Sequence, residues 1–210
     1  MVSWTDDEKE LLKSLDTPWK IQCYLDSLSY NASDECKSPR YVIKNKKAHC
    51  SEGALFASAC LQFHGYKPIL MDLRADKNLD DDHILAIFNE EKYSGAIAKS
   101  NYSGLTFREA IYKNNRELAL SYFEDYFNSK GQKTLREYSP FLTLTIFDNR
   151  NWQTTDEDLN YIGEYLDELP HKKILSNKIK LSPVGKKQLE AGLIGSNPEG
   201  LFKLKDYSPQ

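Results

Sequence analysis

One abrupt change of pattern constrains the fold of this chain more than any other feature. Residues 48–65 read AHCSEGALFASACLQFHG, a run of small and apolar residues that predicts a buried helix ending at Gly65. Three strand-like segments follow directly, at 67–75, 80–89 and 93–101. The polar EEK between the last two indicates a hairpin. A small-residue helix followed by an antiparallel sheet is therefore the predicted centre of the molecule.

Further helices are predicted on both sides of this centre. Thr5 and Glu8 form a capping-box pattern before a helix at 5–15, and Thr17 with Pro18 begins a second one. The segment between the second helix and the small-residue helix lacks periodicity and is predicted to be a loop with one short strand at RYVI, residues 40–43.

After the three strands the pattern becomes mixed. Residues 106–130 are predicted to be helical for much of their length, and the aromatic residues of SYFEDYF within them are spaced like core positions of a helix. The predictions for the remainder are a strand at 140–148, a helix capped by Thr155 and a short helix at 183–191. This order of elements is typical of an α+β fold.

The length of 210 residues suits one domain with a sizeable core. We predict a single domain over 1–210, with its core at about 17–150 and a C-terminal helical appendage at about 151–210. The formal net charge of −3 gives no electrostatic reason to expect nucleic acid as a partner. The clusters KNKKAH and HKK are interpreted as solvated surface.

Neither a membrane span nor an export signal is recognised in the sequence. No apolar run approaches the roughly 20 residues that a transmembrane helix needs, and the N-terminus is acidic and amphipathic. We therefore expect a cytoplasmic protein whose four cysteines are reduced thiols. They show no zinc-type spacing. The acidic NLDDD at 78–82 could offer oxygen ligands but lacks the glycine and spacing of an EF-hand, so no metal or cofactor is predicted.

The residue that points to chemistry is Cys50, at the predicted start of the small-residue helix. The partial positive charge of a helix N-terminus lowers the pKa of a thiol, and a nearby imidazolium does so further. Of the four histidines, His49 is expected to point away and His64 lies at the far end of the same helix. His171 is in a late basic turn. His83, at the start of the second strand, is the predicted base, and a small core residue is the alternative interpretation of Cys50.

These segments together resemble the transglutaminase-like superfamily. HCSEGALFASACLQFHGYKPILMDL is similar to its nucleophile helix and following strand, DDDHILAIFN to its histidine strand and YSGAIAKSN to the next strand. The resemblance implies a transglutaminase-like (papain-like) α+β core with the nucleophile helix packed on an antiparallel sheet. It also implies a Cys–His–Asp site, in which a thiolate attacks an amide or ester and an imidazolium protonates the leaving group.

The third member of such a site has no obvious residue here. With EE at 90–91 as the hairpin loop, His83 lies opposite Ala98, which cannot orient an imidazole. A register slip or bulge would bring in a neighbour, and Asn101 or Ser100 is predicted to supply the acceptor, unless a backbone carbonyl does so. The predicted catalytic set is Cys50, His83 and Asn101.

The predicted activity is cysteine-dependent acyl transfer or hydrolysis of a peptide-type amide through a Cys50 thioester. The substrate would be a peptide, a protein or a small amide. Two alternatives stay open: a catalytically degenerate member that binds a peptide or protein partner, and small-molecule acyl transfer of the arylamine acetyltransferase kind. The sequence does not decide between water and an amine as the acyl acceptor.

Overall fold

An antiparallel sheet lies at the centre of the molecule. The computed structural model describes residues 2–176 and 179–204. The strands in these ranges are β1 (Ser29–Tyr30), β2 (Lys47–Ala48), β3 (Ile69–Ala75), β4 (His83–Glu90), β5 (Tyr93–Ile97), β6 (Arg108–Tyr112), β7 (Leu135–Tyr138), β8 (Leu142–Thr143) and β9 (Lys172–Lys173). The first two form a small parallel pair, and the other seven form one sheet in which all described pairings are antiparallel.

The strands lie in the order β6-β5-β4-β3-β7-β9, and β8 pairs with the start of β3. The hairpin between β4 and β5 is present, but its turn is one residue later than predicted. Glu90 pairs with Tyr93, so the turn residues are Glu91 and Lys92, and Glu91 takes a left-handed backbone with φ of 52°. Because the register moves with the turn, the predicted pairing of His83 with Ala98 does not form.

The helices surround this sheet and complete the mixed α+β architecture. They are α1 (Asp6–Ser14), α2 (Pro18–Ser27), α3 (Pro39–Asn45), α4 (Cys50–Phe63), α5 (Asn115–Tyr122), α6 (Asn160–Glu168) and α7 (Lys186–Gly192), with 3-10 turns at Leu144–Arg150 and Pro198–Gly200. The Thr5–Glu8 capping box and the Thr17 cap are formed as predicted. Among the described helices, none has the length and apolar character that crossing a bilayer requires.

Helix α4 is the small-residue helix of the sequence, and it is buried along most of its length. Residues 52–61 are all buried, because small side chains let the helix approach the sheet and its neighbouring helices closely. Gly53 shows how close this approach is: a Cβ atom there would lie 2.3 Å from Cβ of Lys99. The helix ends at Phe63 with His64 as its C-cap, and the next residue, Gly65, has a φ of 87° that suits glycine.

The two faces of the sheet have separate apolar clusters. Alternate residues of β3 contribute to each, with Leu70 in the cluster around α4 and Met71 in the cluster on the opposite face. The aromatic segment at 121–127 packs in the second cluster, where Tyr122, Tyr126 and Phe127 are buried. The core interpretation of these aromatic residues is therefore confirmed.

Several predicted elements outside the centre were wrong. RYVI belongs to α3 and not to a strand, because Pro39 after Ser38 begins a helix. Residues 106–130 contain β6 before the short α5, and β7 was not predicted. Only Leu142–Thr143 of the segment 140–148 is a strand, and α6 begins at Asn160, so Thr155 does not cap it.

The predicted C-terminal appendage returns to the sheet. Strand β9 pairs with β7, and Leu175, Val184 and Leu189 pack against the second apolar cluster. Residues 177–178 and 205–210 of this predicted appendage lie outside the described residues. The helix predicted at 183–191 is present as α7. The chain then continues towards the N-terminus of α4.

Candidate active site

Cys50 is the first residue of α4, and the start of this helix is held by its own side chains. His49 is the N-cap, and its backbone N–H donates to Oε2 of Glu52 at 3.0 Å. Glu52 is fully buried and also accepts from Nδ2 of Asn31 at 2.9 Å and from the backbone N–H of Lys37 at 3.1 Å. These bonds fix the helix N-terminus, whose partial positive charge favours an anion at Cys50.

His83 is the first residue of β4, and its ring is held by its surroundings. Nε2 lies 2.9 Å from the backbone oxygen of Leu105. Since a carbonyl oxygen only accepts, Nε2 carries the hydrogen, and Nδ1 is left for another partner. The ring packs edge-on to Tyr122 and Tyr126, with centroids 6.5 Å and 6.4 Å away. The buried His83 is thus fixed in both tautomer and orientation.

The thiol of Cys50 lies among polar groups from both helix and sheet. Sγ is 3.8 Å from Oγ of Ser51 and 4.0 Å from the backbone oxygen of Asp82. Burial opposes ionisation of the thiol, but hydrogen bonds and charge from the His49 and His83 imidazoles outweigh it. Together they hold the pKa of Cys50 well below its usual range. The lowered pKa favours the thiolate over the thiol at this position.

His49 contributes to the site in a way that the sequence did not predict. Its Nδ1 accepts from the backbone N–H of Ser51 at 3.2 Å, and its Nε2 lies 3.1 Å from the backbone oxygen of Glu35. This geometry fits a neutral ring with the hydrogen on Nε2. Burial disfavours the cation, yet an ionised Cys50 and the Glu52 carboxylate raise the pKa of His49 to about 9. The hydrogen bond from Ser51 favours the neutral form of His49, whereas the negative charges of Cys50 and Glu52 favour its protonated form.

The structure places Asn101 and Ser100 elsewhere than predicted. The side-chain amide of Asn101 is engaged with the backbone of Asn197, and Oγ of Ser100 accepts from the backbone N–H of Tyr102. The prediction of Asn101 as the orienting residue is therefore corrected: the acceptor for His83 is the Leu105 carbonyl. The loop that supplies it follows β5, which ends where Ile97 pairs with Ala86 of β4.

The position opposite His83 in the predicted register, Ala98, has a structural role. Its backbone N–H donates to Oε1 of Gln22 at 3.1 Å, and its carbonyl accepts from Nε2 of Gln22 at 2.9 Å. The buried Gln22 amide from α2 thus pairs with the backbone just after β5 as another strand would. This bond pair fixes the start of the loop that leads to Leu105.

Cys50 and His83 line an open cleft of about 650 Å³. Its other walls come from the loop after β1, the acidic loop before β4, the loop after β5 and the C-terminal residues; they include Tyr30, Asn31, Asp34, Asp80, Asp81, Asn101, Tyr102 and residues 199–203. Oη of Tyr102 is buried and has no hydrogen-bond partner among the described residues. This volume, which remains open with residues 199–203 in the wall, lies within the usual range for ligand-binding clefts.

Behind the cleft, a buried histidine and aspartate form a second pair. Nε2 of His171 lies 2.8 Å from Oδ2 of Asp72, and its Nδ1 lies 2.8 Å from the backbone oxygen of Leu169. Both side chains are 1% exposed. Since both ring nitrogens face acceptors, the ring is an imidazolium; burial opposes this charge, but the bond to Asp72 raises the pKa of His171. The pair joins the C-terminal part of the chain to β3.

Three acidic residues lie close together in space, and only one of them, Asp82, belongs to the acidic segment 78–82. Carboxylate oxygens of Asp72, Asp82 and Asp167 lie within 4.8 Å of one another. Burial and the charge of Asp72 raise the pKa of Asp82 to about 7. The Arg74 guanidinium lies 3.9 Å from Asp82 and 3.5 Å from Asp167, so a cation already balances this group.

The chain was also compared with known proteins. No model of a known protein family matches it. A search of curated proteins likewise finds no significant match. The case for a function therefore depends on the geometry of the cleft and on the resemblance of its segments.

Proposed function

We propose that this protein is a cysteine-dependent acyltransferase or hydrolase that acts on a peptide-type amide. The observation that carries the proposal is the Cys50 thiol, whose pKa is lowered beside two imidazoles at the wall of an open cleft. Buried structural cysteines behave in the opposite way, and Cys36 and Cys60 illustrate this because burial raises the pKa of both. A low thiol pKa in an accessible cleft is typical of a nucleophile.

The proposed reaction begins with attack of the Cys50 thiolate on the carbonyl carbon of the substrate. The new C–S bond places negative charge on the carbonyl oxygen, and N–H groups at the start of a helix are suited to stabilise it. As the C–N bond breaks, the imidazolium of His83 donates its proton to the leaving nitrogen. The acyl group remains on Cys50 as a thioester.

Release of the acyl group reverses these roles. Neutral His83 removes a proton from water or an amine, which attacks the thioester carbon. The C–S bond then breaks, which yields a carboxylic acid or a new amide together with the Cys50 thiolate. Leu105 is the positioning residue in this scheme, since its carbonyl holds Nε2 of His83 in both halves of the reaction.

We further propose that the fold is of the transglutaminase-like type. The order of α4, β3, β4 and β5 supports it, with the cysteine at the start of the helix and the histidine at the start of the second strand. The departure is the orienting group, which here is a backbone carbonyl in place of the aspartate that the resemblance implies. A carbonyl orients the ring but adds no full charge to stabilise the imidazolium.

The expected setting and partners follow from the same site. A working thiolate needs a reducing compartment, so we propose the cytoplasm, and the four cysteines of the structure are all free thiols. The proposed partner is a peptide, a protein or a small amide. One observation favours the alternative of a peptide-binding module: residues 199–203 of the chain itself line the cleft.

The proposal is tested by trapping the thioester. The full-length protein is incubated with activated acyl esters and with a library of short peptides, and the intact mass is measured after acid quench. We expect an acyl adduct on Cys50 and release of product, both absent in Cys50→Ala. Cys60→Ala is the matched control, since it removes a thiol from the same helix. Equal adduct formation in Cys50→Ala and wild type would overturn the proposal.

A further inference from the structure

Residues 197–203, which we call the C-terminal strap, run along the cleft that contains Cys50. Residues 199–203 line this cleft together with Cys50 and His83. The chain reaches it from α7, which is tied down by Ser103: the backbone N–H of Ser103 donates to the Gly192 carbonyl at 2.9 Å and Oγ donates to the Ala191 carbonyl at 2.7 Å. The strap therefore forms part of the wall of this cleft, beside Cys50 and His83.

The first contact of the strap is to its backbone. Oδ1 of Asn101 accepts from the backbone N–H of Asn197 at 2.7 Å, and Nδ2 of Asn101 donates to the Asn197 carbonyl at 2.8 Å. One side-chain amide thus pairs with both backbone groups of a single residue, as an adjacent strand would. Such a contact recognises an extended peptide without regard to its side chain at that position.

The second contact selects for glycine. A Cβ atom on Gly200 would lie 2.5 Å from Cε1 of the Tyr30 ring and 3.2 Å from Nδ2 of Asn101. The backbone of Gly200 does not have a positive φ, so the glycine is needed for close approach and not for its conformation. Tyr30 is itself part of the cleft wall, and burial and the charge of Cys50 raise its pKa. Any larger residue has to displace this ring.

The remaining residues give the strap an apolar and then a basic character. Leu201 and Phe202 are partly buried, and Leu201 packs against the second apolar cluster. Lys203 lines a cleft whose wall carries the carboxylates of Asp34 and Asp81. Burial, together with the charges of Cys50 and Asp34, raises the pKa of Asp81. A positively charged residue on the ligand reduces the electrostatic repulsion among these negative charges.

We propose that the cleft is a binding site for peptides with glycine followed by apolar and basic residues, and that the C-terminal strap is its intramolecular ligand. A substrate or partner of the same chemistry enters by displacing the strap. The inference extends the proposed function by naming a class of ligand. Only turnover of such a peptide rests on the proposed function, because binding of the peptide and displacement of the strap require no reaction. The strap lowers the apparent affinity for a ligand that binds at its own position, since only the displaced form can accept that ligand there.

The test uses alkylation of Cys50 by iodoacetamide, followed by peptide mass mapping of the full-length protein. Gly200→Leu, through its clash with Tyr30, and Asn101→Ala should each release the strap and raise the rate at Cys50. For Asn101→Ala the expected increase is about 30-fold, the equivalent of two lost hydrogen bonds of ordinary strength. Gly163→Ala is the matched control, because a Cβ atom there meets nothing within 4 Å, and its rate should equal that of wild type.

A second measurement keeps the inference independent of variant stability. The fluorescent synthetic peptide SNPEGLFK should bind Gly200→Leu more tightly than wild type and should slow alkylation of its Cys50. The same peptide with leucine in place of glycine should do neither. Unchanged alkylation in both strap variants, or equal binding of the two peptides, would overturn the inference.

The outcomes for the site and the strap are separable. Faster alkylation in the strap variants without an acyl adduct in any variant would contradict the proposed reaction and support the peptide site. A Cys50 acyl adduct with unchanged alkylation in both strap variants would support the reaction and contradict the role of the strap. Each result therefore decides one proposal without deciding the other.

Discussion

Cys50 and Cys60 lie ten residues apart on the same helix, yet their pKa values move in opposite directions. Cys60 is fully buried in the apolar cluster around α4, and burial raises its pKa well above the ordinary value. Cys50 is partly buried at the helix N-terminus, where His49 and His83 hold its pKa well below that value. Position along one helix thus separates a thiol whose pKa is raised from one whose pKa is lowered.

The comparison shows that burial alone does not decide how a thiol behaves. Desolvation acts against the thiolate at both positions. At Cys60 a single backbone hydrogen bond opposes it, whereas at Cys50 two imidazoles and a helix N-terminus do so. One of these imidazoles, His83, is itself held by a carbonyl and two tyrosine rings. The environment of Cys50 therefore depends on the loop after β5 as much as on the helix.

Removing His83 should raise the pKa of Cys50, so that this thiol becomes more like the buried thiol of Cys60. In His83→Gln the thiol loses its general base, and we expect turnover to fall about 10³-fold, within the usual range for loss of acid–base catalysis. The measurement is the rate of acyl release together with the rate of Cys50 alkylation. His64→Gln is the control, since the His64 ring contacts the Leu12 carbonyl at the far end of α4. Full activity in His83→Gln would contradict its role.

The second prediction concerns the buried His171–Asp72 pair, which should contribute to the stability of the fold but not to the rate of Cys50 alkylation. Asp72→Asn leaves the His171 imidazolium buried without its counter-ion, and we expect a loss of about 3–5 kcal/mol in the free energy of unfolding. Chemical denaturation measures this value. The rate of Cys50 alkylation in the folded variant should stay close to that of wild type, because neither residue contacts the thiol.

The same pair sets a pH dependence with a definite sign. The bond to Asp72 raises the pKa of His171 in the folded state above the ordinary 6.5. Its contribution to stability is therefore fully present below pH 6.5 and is lost as the pH rises through the folded-state pKa. Denaturation of wild type and His171→Asn across this range should show the difference between them shrinking at high pH. A growing difference would contradict a charged His171.

The smallest expected effect belongs to His49. Asn keeps a good N-cap but removes one of the two imidazoles that lower the pKa of Cys50, so His49→Asn should slow Cys50 alkylation about tenfold. Alkylation at a fixed neutral pH measures it. An effect larger than that of His83→Gln would mean that His49 is the principal partner of the thiolate.

The sequence predicts those features of the molecule that depend on residues close together in the chain. The small-residue helix, its end just before Gly65, the hairpin after His83 and the position of Cys50 at a helix start could all be predicted, because each depends on residues close in the chain. The register of the hairpin could not, since the turn was placed one residue early, and the assignment of Ala98 opposite His83 depended on it.

Other features of the site have no sequence signal of that kind. The acceptor for His83 is a backbone carbonyl, which every residue possesses, so no side chain indicates Leu105. The His171–Asp72 pair joins residues 99 positions apart. For His49 a signal was present: the Glu52 three residues later marks it as an N-cap, and a capping side chain turns towards the helix start.

The most direct test of the account is the pH dependence of alkylation at all four cysteines of the folded protein, followed by peptide mass mapping. We predict that Cys50 reacts at a rate that levels off well below the pH at which an ordinary thiol ionises, near 8.5. Cys36 and Cys60 should react only when the protein unfolds. A Cys50 rate that keeps rising to pH 9, in parallel with the exposed Cys23, would contradict the claim that this thiol is held as a thiolate.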